Sequence, residues 1–317
     1  MSAVVTHLDI SQLPSLKDGM SAEEEATKRR KTCRFIEEAG RVLKLPRVAI
    51  STAMVFFHRF YAKHSFDQHD RFEVAVAAIV LAAKTEESPK KLNAVIVQCH
   101  DLKTRGMQAG RVKGSKPVPP SLDPKGEEFS KLKERILLME RVILHTIGFE
   151  LSIDHPYKFF VDQIKKLTQT RQLVYKQPPA NLNSTQTYQK MMNELVQYSM
   201  SFANDSMHTS LCLQFSSQQI ATACVYLAGQ FAKVDAQENS SWSKVLGEPD
   251  IESLASICVQ ILDLIDPRKT GGDLENFKKI RTQLEVLKRA KRSKGSPAPP
   301  PPPPPPSEPA AKRPKTG

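Results

Sequence analysis

The sequence predicts an all-α protein: a tandem pair of helical units followed by a flexible, basic, proline-rich tail. Three observations predict it. Apolar residues recur at spacings of three and four in segment after segment, and no segment alternates with period two over a convincing length. The stretch VAVAAIVLAAK (74–84) returns as IATACVYLAGQ (220–230) when the chain is shifted by 146 residues, without a gap. Ten prolines lie between residues 297 and 309, a polyproline II segment that cannot pack a core.

The elements follow in order. Residues 1–21 read as an irregular arm, with Pro14 and Gly19. Ser21 and Glu24 resemble a capping box and open a helix over 22–44, with Phe35, Ile36, Ala39, Val42 and Leu43 on its apolar side. Pro46 starts a second helix, to about 63. The third, from about Phe72, is apolar on every side, which predicts a central, buried position. It is too short to span a membrane, and Ser88-Pro89 ends it. A short helix over 89–101 leads to a Gly-, Pro- and Lys-rich surface loop, 103–126. The spacing of Leu132, Ile136, Met139, Ile143 and Ile147 predicts a helix over 127–147. A second set is expected at 156–168, 188–204, 216–231 and 250–265, with the polar stretch after Thr170 as a loop. A last helix, 273–292, carries a narrow stripe of Leu274, Phe277, Ile280, Leu284 and Leu287.

At 317 residues and 40% apolar content the chain can bury real cores. Its net charge of +12 first suggests a nucleic-acid partner. Residues 268–317, however, hold 13 Lys/Arg against 4 Asp/Glu, a net of +9, which leaves about +3 for everything before them. The basicity belongs to the tail. Cys33, Cys99, Cys212, Cys224 and Cys258 are scattered, without a C-x-x-C pair, and read as reduced, buried thiols. The start shows no secretory signal, so an intracellular protein is expected. His58, His64 and His69 lack accompanying Cys or acidic ligands; they read as solvated or capping side chains, and no metal or cofactor is expected.

The repeat also isolates a difference. Lys84 of the first copy corresponds to Gln230 of the second, and, with Leu144 matched to Leu262, Glu140 corresponds to Cys258. The second copy keeps the apolar frame without either charge, so packing does not require them. Glu140 has Ile136, Leu137, Ile143 and Leu144 as its helix neighbours, where a carboxylate is costly without partners. Lys84 could simply answer the dipole at its helix end, and Glu140 could pair within the chain. Alternatively the two meet each other and hydrogen-bond the backbone of another protein at a groove.

HRFYAKHSF, LAAKTEESPKKL, LMERVILHTIGFELSIDHPYKFF and NDSMHTSLCLQFSSQQIATACVYLAG closely resemble the transcription-type cyclins, the cyclin T and cyclin K group. The resemblance covers about 20–267. It implies a tandem pair of five-helix cyclin boxes, here 22–152 and 153–267, the first binding the αC helix of a cyclin-dependent kinase. It further implies that Lys84 and Glu140 bind kinase backbone, with apolar contacts from Leu144, Phe149 and Leu151. Thr85 stands where cell-cycle cyclins place an aromatic contact, and KTCRFIEEAG lacks their MRAIL docking pattern.

The expected function is therefore a non-enzymatic regulatory subunit of a nuclear kinase that phosphorylates the RNA polymerase II C-terminal domain and promotes elongation. No kinase glycine loop or HRD–DFG pair is present. Two other readings stand beside it: a TFIIB-like nucleic-acid-binding factor, disfavoured by the nearly neutral core and absent Cys ribbon, and an L- or C-type cyclin acting in splicing or Mediator. In the tail, Lys288, Arg289, Lys291 and Arg292, then Lys312, Arg313 and Lys315, read as nuclear import signals. The run 299–306 suits SH3, WW or profilin-type grooves, and the basic helix could touch RNA or a regulatory protein.

Overall fold

The computed structural model describes residues 8–109, 122–178, 183–238, 240–265 and 278–285. The first unit begins with a 3-10 turn, Ile10–Gln12, and a single helical turn, α1 (Pro14–Lys17). It continues with α2 (Ala22–Val42), α3 (Arg47–Phe60), α4 (Arg71–Thr85), α5 (Leu92–Ala109) and α6 (Glu127–Thr146). The second contains α7 (Pro156–Gln169), β1 (Leu173–Tyr175), α8 (Ser184–Ser206), α9 (Leu211–Gln214), α10 (Ser217–Phe231), β2 (Val234–Ala236), α11 (Trp242–Val245) and α12 (Ile251–Leu262).

α4 is the axle of the first unit. Asp70 caps it by accepting from the Phe72 and Glu73 amides, and every residue from Val74 to Ala83 is buried. Its alanines let α2, α3, α5 and α6 all close around it. α10 repeats the arrangement among α7, α8 and α12, with Ile220–Gln230 buried and Ser216 and Gln219 forming a capping box. The 146-residue shift that aligns the two sequences also carries both ends of α4 onto both ends of α10.

From Leu8 to Met20 the arm is not irregular: Leu13 is wholly buried, Ser15 Oγ accepts from the Phe66 amide, and the Leu8 amide donates to Leu213 O. The stretch after Thr170 is also more than a loop, since Leu173–Tyr175 pairs antiparallel with β2. α5 extends through the start of the expected 103–126 loop, of which 110–121 lie outside the described residues. Of the last expected helix, 278–285 is helical, with Ile280 and Leu284 buried in the second core. The import clusters and the proline run lie outside the described residues.

α3 is the seam between the units. Tyr157 Oη lies 2.8 Å from Ser51 Oγ and donates to Asn204 Oδ1 at 3.0 Å. His58 is fully buried, contrary to the solvated expectation. Arg29 Nη1 can only donate, so at 3.0 Å it fixes His58 Nδ1 as the acceptor, and His58 Nε2 then donates to Met207 O at 2.9 Å. Burial first, then the Arg29 charge, pushes His58 down to about 3. Arg29 is itself buried and paired with Glu25, one turn earlier. Across the same seam His208 Nε2 lies 2.9 Å from Glu37 Oε2, and that contact leads the causes holding the Glu37 carboxyl down at about 2.

Candidate functional site

The last turn of α4 delivers Lys84 to the surface while Ala82 and Ala83 stay inside. Glu87 adopts the left-handed conformation (φ 51°), and the Ser88 amide reaches back to Ala83 O at 2.8 Å. This closes the helix much as a glycine C-cap would. α6 lies along α4 and brings Glu140 to the same place. Lys84 Nζ donates to both carboxylate oxygens of Glu140, at 2.7 and 3.0 Å. Glu140 is only 7% exposed, whereas the Lys84 side chain is 54% exposed. The carboxylate that looked misplaced in an apolar stripe is thus satisfied by one half-exposed cation. A second partner can approach from the solvent side.

The neighbouring acid turns the other way. Thr52 Oγ1 donates to Glu86 Oε1 at 2.7 Å. With its only proton committed, Thr52 must accept from His155 Nε2, 2.8 Å away. Burial pushes the His155 pKa down to about 4, so the ring is neutral near pH 7 and its buried Nδ1 is an acceptor without a partner. Glu86 thus ties the end of α4 to the junction between the units, while Lys84 faces out. Thr85 bonds its own helix, donating to Leu81 O at 3.0 Å.

Leu144 lies one turn beyond Glu140, on the same face of α6, and is half-buried. The chain then turns through two successive left-handed residues, Gly148 (φ 63°) and Phe149 (φ 59°), and the Phe149 amide donates to Leu144 O at 3.0 Å. Phe149 is 60% exposed, with its ring edge-on to His145 at 5.2 Å. A bulky residue in this backbone region costs of order 1 kcal/mol or more, and here it gains no burial. Leu151 packs partly against the first core. The sequence named Leu137 only as an apolar neighbour of Glu140, not as a contact residue; it is exposed one turn before Glu140 and extends the same apolar edge.

The second unit uses the equivalent place differently. Gln230 and Cys258 are buried, and the Cys258 thiol faces Ala223 O at 3.9 Å. The Trp242 indole rests on Gly229, where a Cβ would overlap its ring, and meets Tyr226 edge-on at 5.7 Å. An apolar cavity of about 470 Å³ remains there, lined in part by Tyr226, Gln230, Trp242 and Leu254. The helix end that is open in the first unit is covered by the chain itself in the second.

Among the described residues no three His, Cys, Asp or Glu side chains converge as a metal site, and no helix is long and apolar enough to cross a membrane. Cys33, Cys99, Cys224 and Cys258 are buried, with thiols pushed up by burial, while Cys212 is half-buried.

Residues 3–152 match the family described as Cyclin, N-terminal domain, and residues 177–260 match Cyclin-T2-like, C-terminal domain. The chain belongs to the cyclin family. Cyclin-T1-3 of Oryza sativa subsp. japonica is 32% identical over 272 residues, 82% of this chain and 49% of that protein. Human Cyclin-K is 32% identical over 268 residues, 82% of this chain and 40% of that protein. This cyclin thus spans about half the length of such curated relatives. A chain in the crystal structure of the yeast RNA Pol II CTD kinase CTDK-1 complex shares the fold at TM-score 0.64 and 17% identity, covering 87% of this cyclin and 82% of that chain.

Proposed function

We propose that this cyclin is the regulatory subunit of a nuclear cyclin-dependent kinase, and that its first box, 22–152, holds the kinase αC helix. The observation that carries the reading is the Lys84–Glu140 pair: charged, open to one side, flanked by an exposed apolar edge, and replaced by Gln230 and Cys258 in the second box, 153–267. A kinase requires its β3 Lys–αC Glu ion pair in place. A rigid surface that binds αC only in its inward position selects the active state by differential affinity. Lys84 supplies donors and Glu140 acceptors for backbone groups, while Leu137, Leu144, Phe149 and Leu151 supply apolar area. The chain contributes this surface and performs no chemistry of its own.

The match to relatives named Cyclin-T1-3 and Cyclin-K agrees with the resemblance to the T and K group, and that resemblance supports a transcriptional kinase, the RNA polymerase II C-terminal domain as substrate and elongation as outcome. The basic clusters at 288–294 and 309–315 serve nuclear import in this reading, and the proline run and basic helix are left to SH3-, WW- or profilin-type, protein or RNA partners. Affinity purification followed by a kinase assay tests the reading. The expected result is a co-purified cyclin-dependent kinase active on heptad-repeat peptide. Recovery of promoter DNA without kinase activity would overturn it.

A further inference from the structure

Residues 88–91 read Ser-Pro-Lys-Lys, a serine followed at once by proline and, at the third position on, by lysine. A proline-directed protein kinase recognises this arrangement: a site that accepts the locked φ of proline, with an acidic group for the later cation. No other serine or threonine in the chain has both features; Ser296-Pro297 lacks the lysine. The segment is also presented suitably. α4 has ended, α5 starts only at Leu92, and residues 88–91 form neither helix nor turn. Pro89, Lys90 and Lys91 are exposed, and Ser88 is half-buried with its hydroxyl donating only to Glu86 O, at 3.1 Å.

We propose that Ser88 is a phosphorylation site of a proline-directed kinase, and that the phosphate loosens the docking edge by drawing Lys84 away from Glu140. In the transfer the Ser88 Oγ–P bond forms, the bond between the γ-phosphorus and the β-phosphate oxygen of ATP breaks, ADP leaves and the hydroxyl proton is released. The coupling is local. The closing turn folds Ser88 back onto α4, with its amide on Ala83 O and the Glu87 amide on Lys84 O at 3.3 Å. A phosphoserine carries about −1.5 to −2 charges at pH 7. It would sit at the negative end of the α4 dipole, beside Glu86 and Glu87, where a mobile cation is the natural counter-ion. Lys84 is the cation on that turn, its side chain half exposed and held only by Glu140.

This inference rests on the kinase-holding reading of Lys84 and Glu140. The test treats the full chain with a purified proline-directed kinase and ATP, then measures phosphate at Ser88 by peptide mass spectrometry. Ser88→Ala is expected to abolish the modification and Ser296→Ala to leave it. Phosphate that persists in Ser88→Ala and disappears in Ser296→Ala overturns the site. The modified and unmodified chains are then titrated against the cyclin-dependent kinase co-purified above. The phosphorylated form is expected to bind roughly tenfold more weakly or worse, the scale of losing a hydrogen bond to a charged group. Equal binding by both forms overturns the regulatory half alone. Modification at Ser88 with no kinase bound by either form overturns that half together with the docking reading.

Discussion

Gly229→Ala tests whether the second box is closed by its own indole. In an open helix this change gains about 1 kcal/mol of helix propensity. Here the new Cβ would lie inside the van der Waals surface of Trp242 Cη2 and Cζ2, so the indole must leave its seat. Overpacking of this kind costs typically 1–3 kcal/mol, and the net expectation is a loss of about 1 kcal/mol. Trp242 is the only tryptophan, so its fluorescence reports the displacement directly during urea unfolding. The expected result is red-shifted native emission and a lower unfolding midpoint. In a Trp242→Ala background the sign should reverse, because only the propensity gain remains. Gly229→Ala that stabilises the otherwise unaltered chain without moving the emission would refute the packing argument.

Acid should destabilise the fold early. His58 and His155 stay neutral when folded, with pKa values near 3 and 4 against 6.5 for the free side chain, so the unfolded chain binds more protons between those limits. Stability is complete above about pH 6.5 and falls by about 1.4 kcal/mol per pH unit for each histidine as the pH drops. Thermal melts flat from pH 6.5 to 5 would contradict it. The Glu37 contribution, present above its usual 4.5, is lost only lower, towards pH 2. Phe149→Ala should leave stability within about 0.5 kcal/mol, because the ring is exposed, yet weaken kinase capture; unchanged capture in a pull-down would remove Phe149 from the docking edge. Deleting 288–317 should move a fluorescently tagged chain to the cytoplasm, and an unchanged nuclear signal would refute the import reading.

The two central helices were legible because small residues in an unbroken apolar run have few uses other than tight packing. Lys84 and Glu140 were legible because the repeat acts as an internal control: what the second box lacks, packing does not need. That the pair would meet was legible only as one option among three, since sequence does not say which cation reaches Glu140. β1 was hidden because three residues carry too little periodicity and its partner lies some 60 residues on. Arg29 and Glu25 resemble a solvated i,i+4 pair in a charged stretch; their burial depends on the arm, α3 and the second box closing over them. His58 was misjudged for the same reason, because its acceptor, Met207 O, belongs to the other unit. Leu137 was legible as an apolar neighbour of Glu140 but not as part of an exposed edge, because a leucine on an amphipathic helix is ordinary.

The most direct measurement compares kinase capture by Lys84→Ala and Glu140→Ala with that by the unaltered chain, alongside their thermal melts. Glu140→Ala removes the carboxylate and frees a half-exposed Lys84 to water, so it should cost about 1 kcal/mol or less. Lys84→Ala leaves the nearly buried Glu140 carboxylate without its cation and should cost about 1–3 kcal/mol. Both variants lose the kinase and its activity on heptad-repeat peptide. A large drop in melting temperature for both, or full kinase capture by either, would contradict the account.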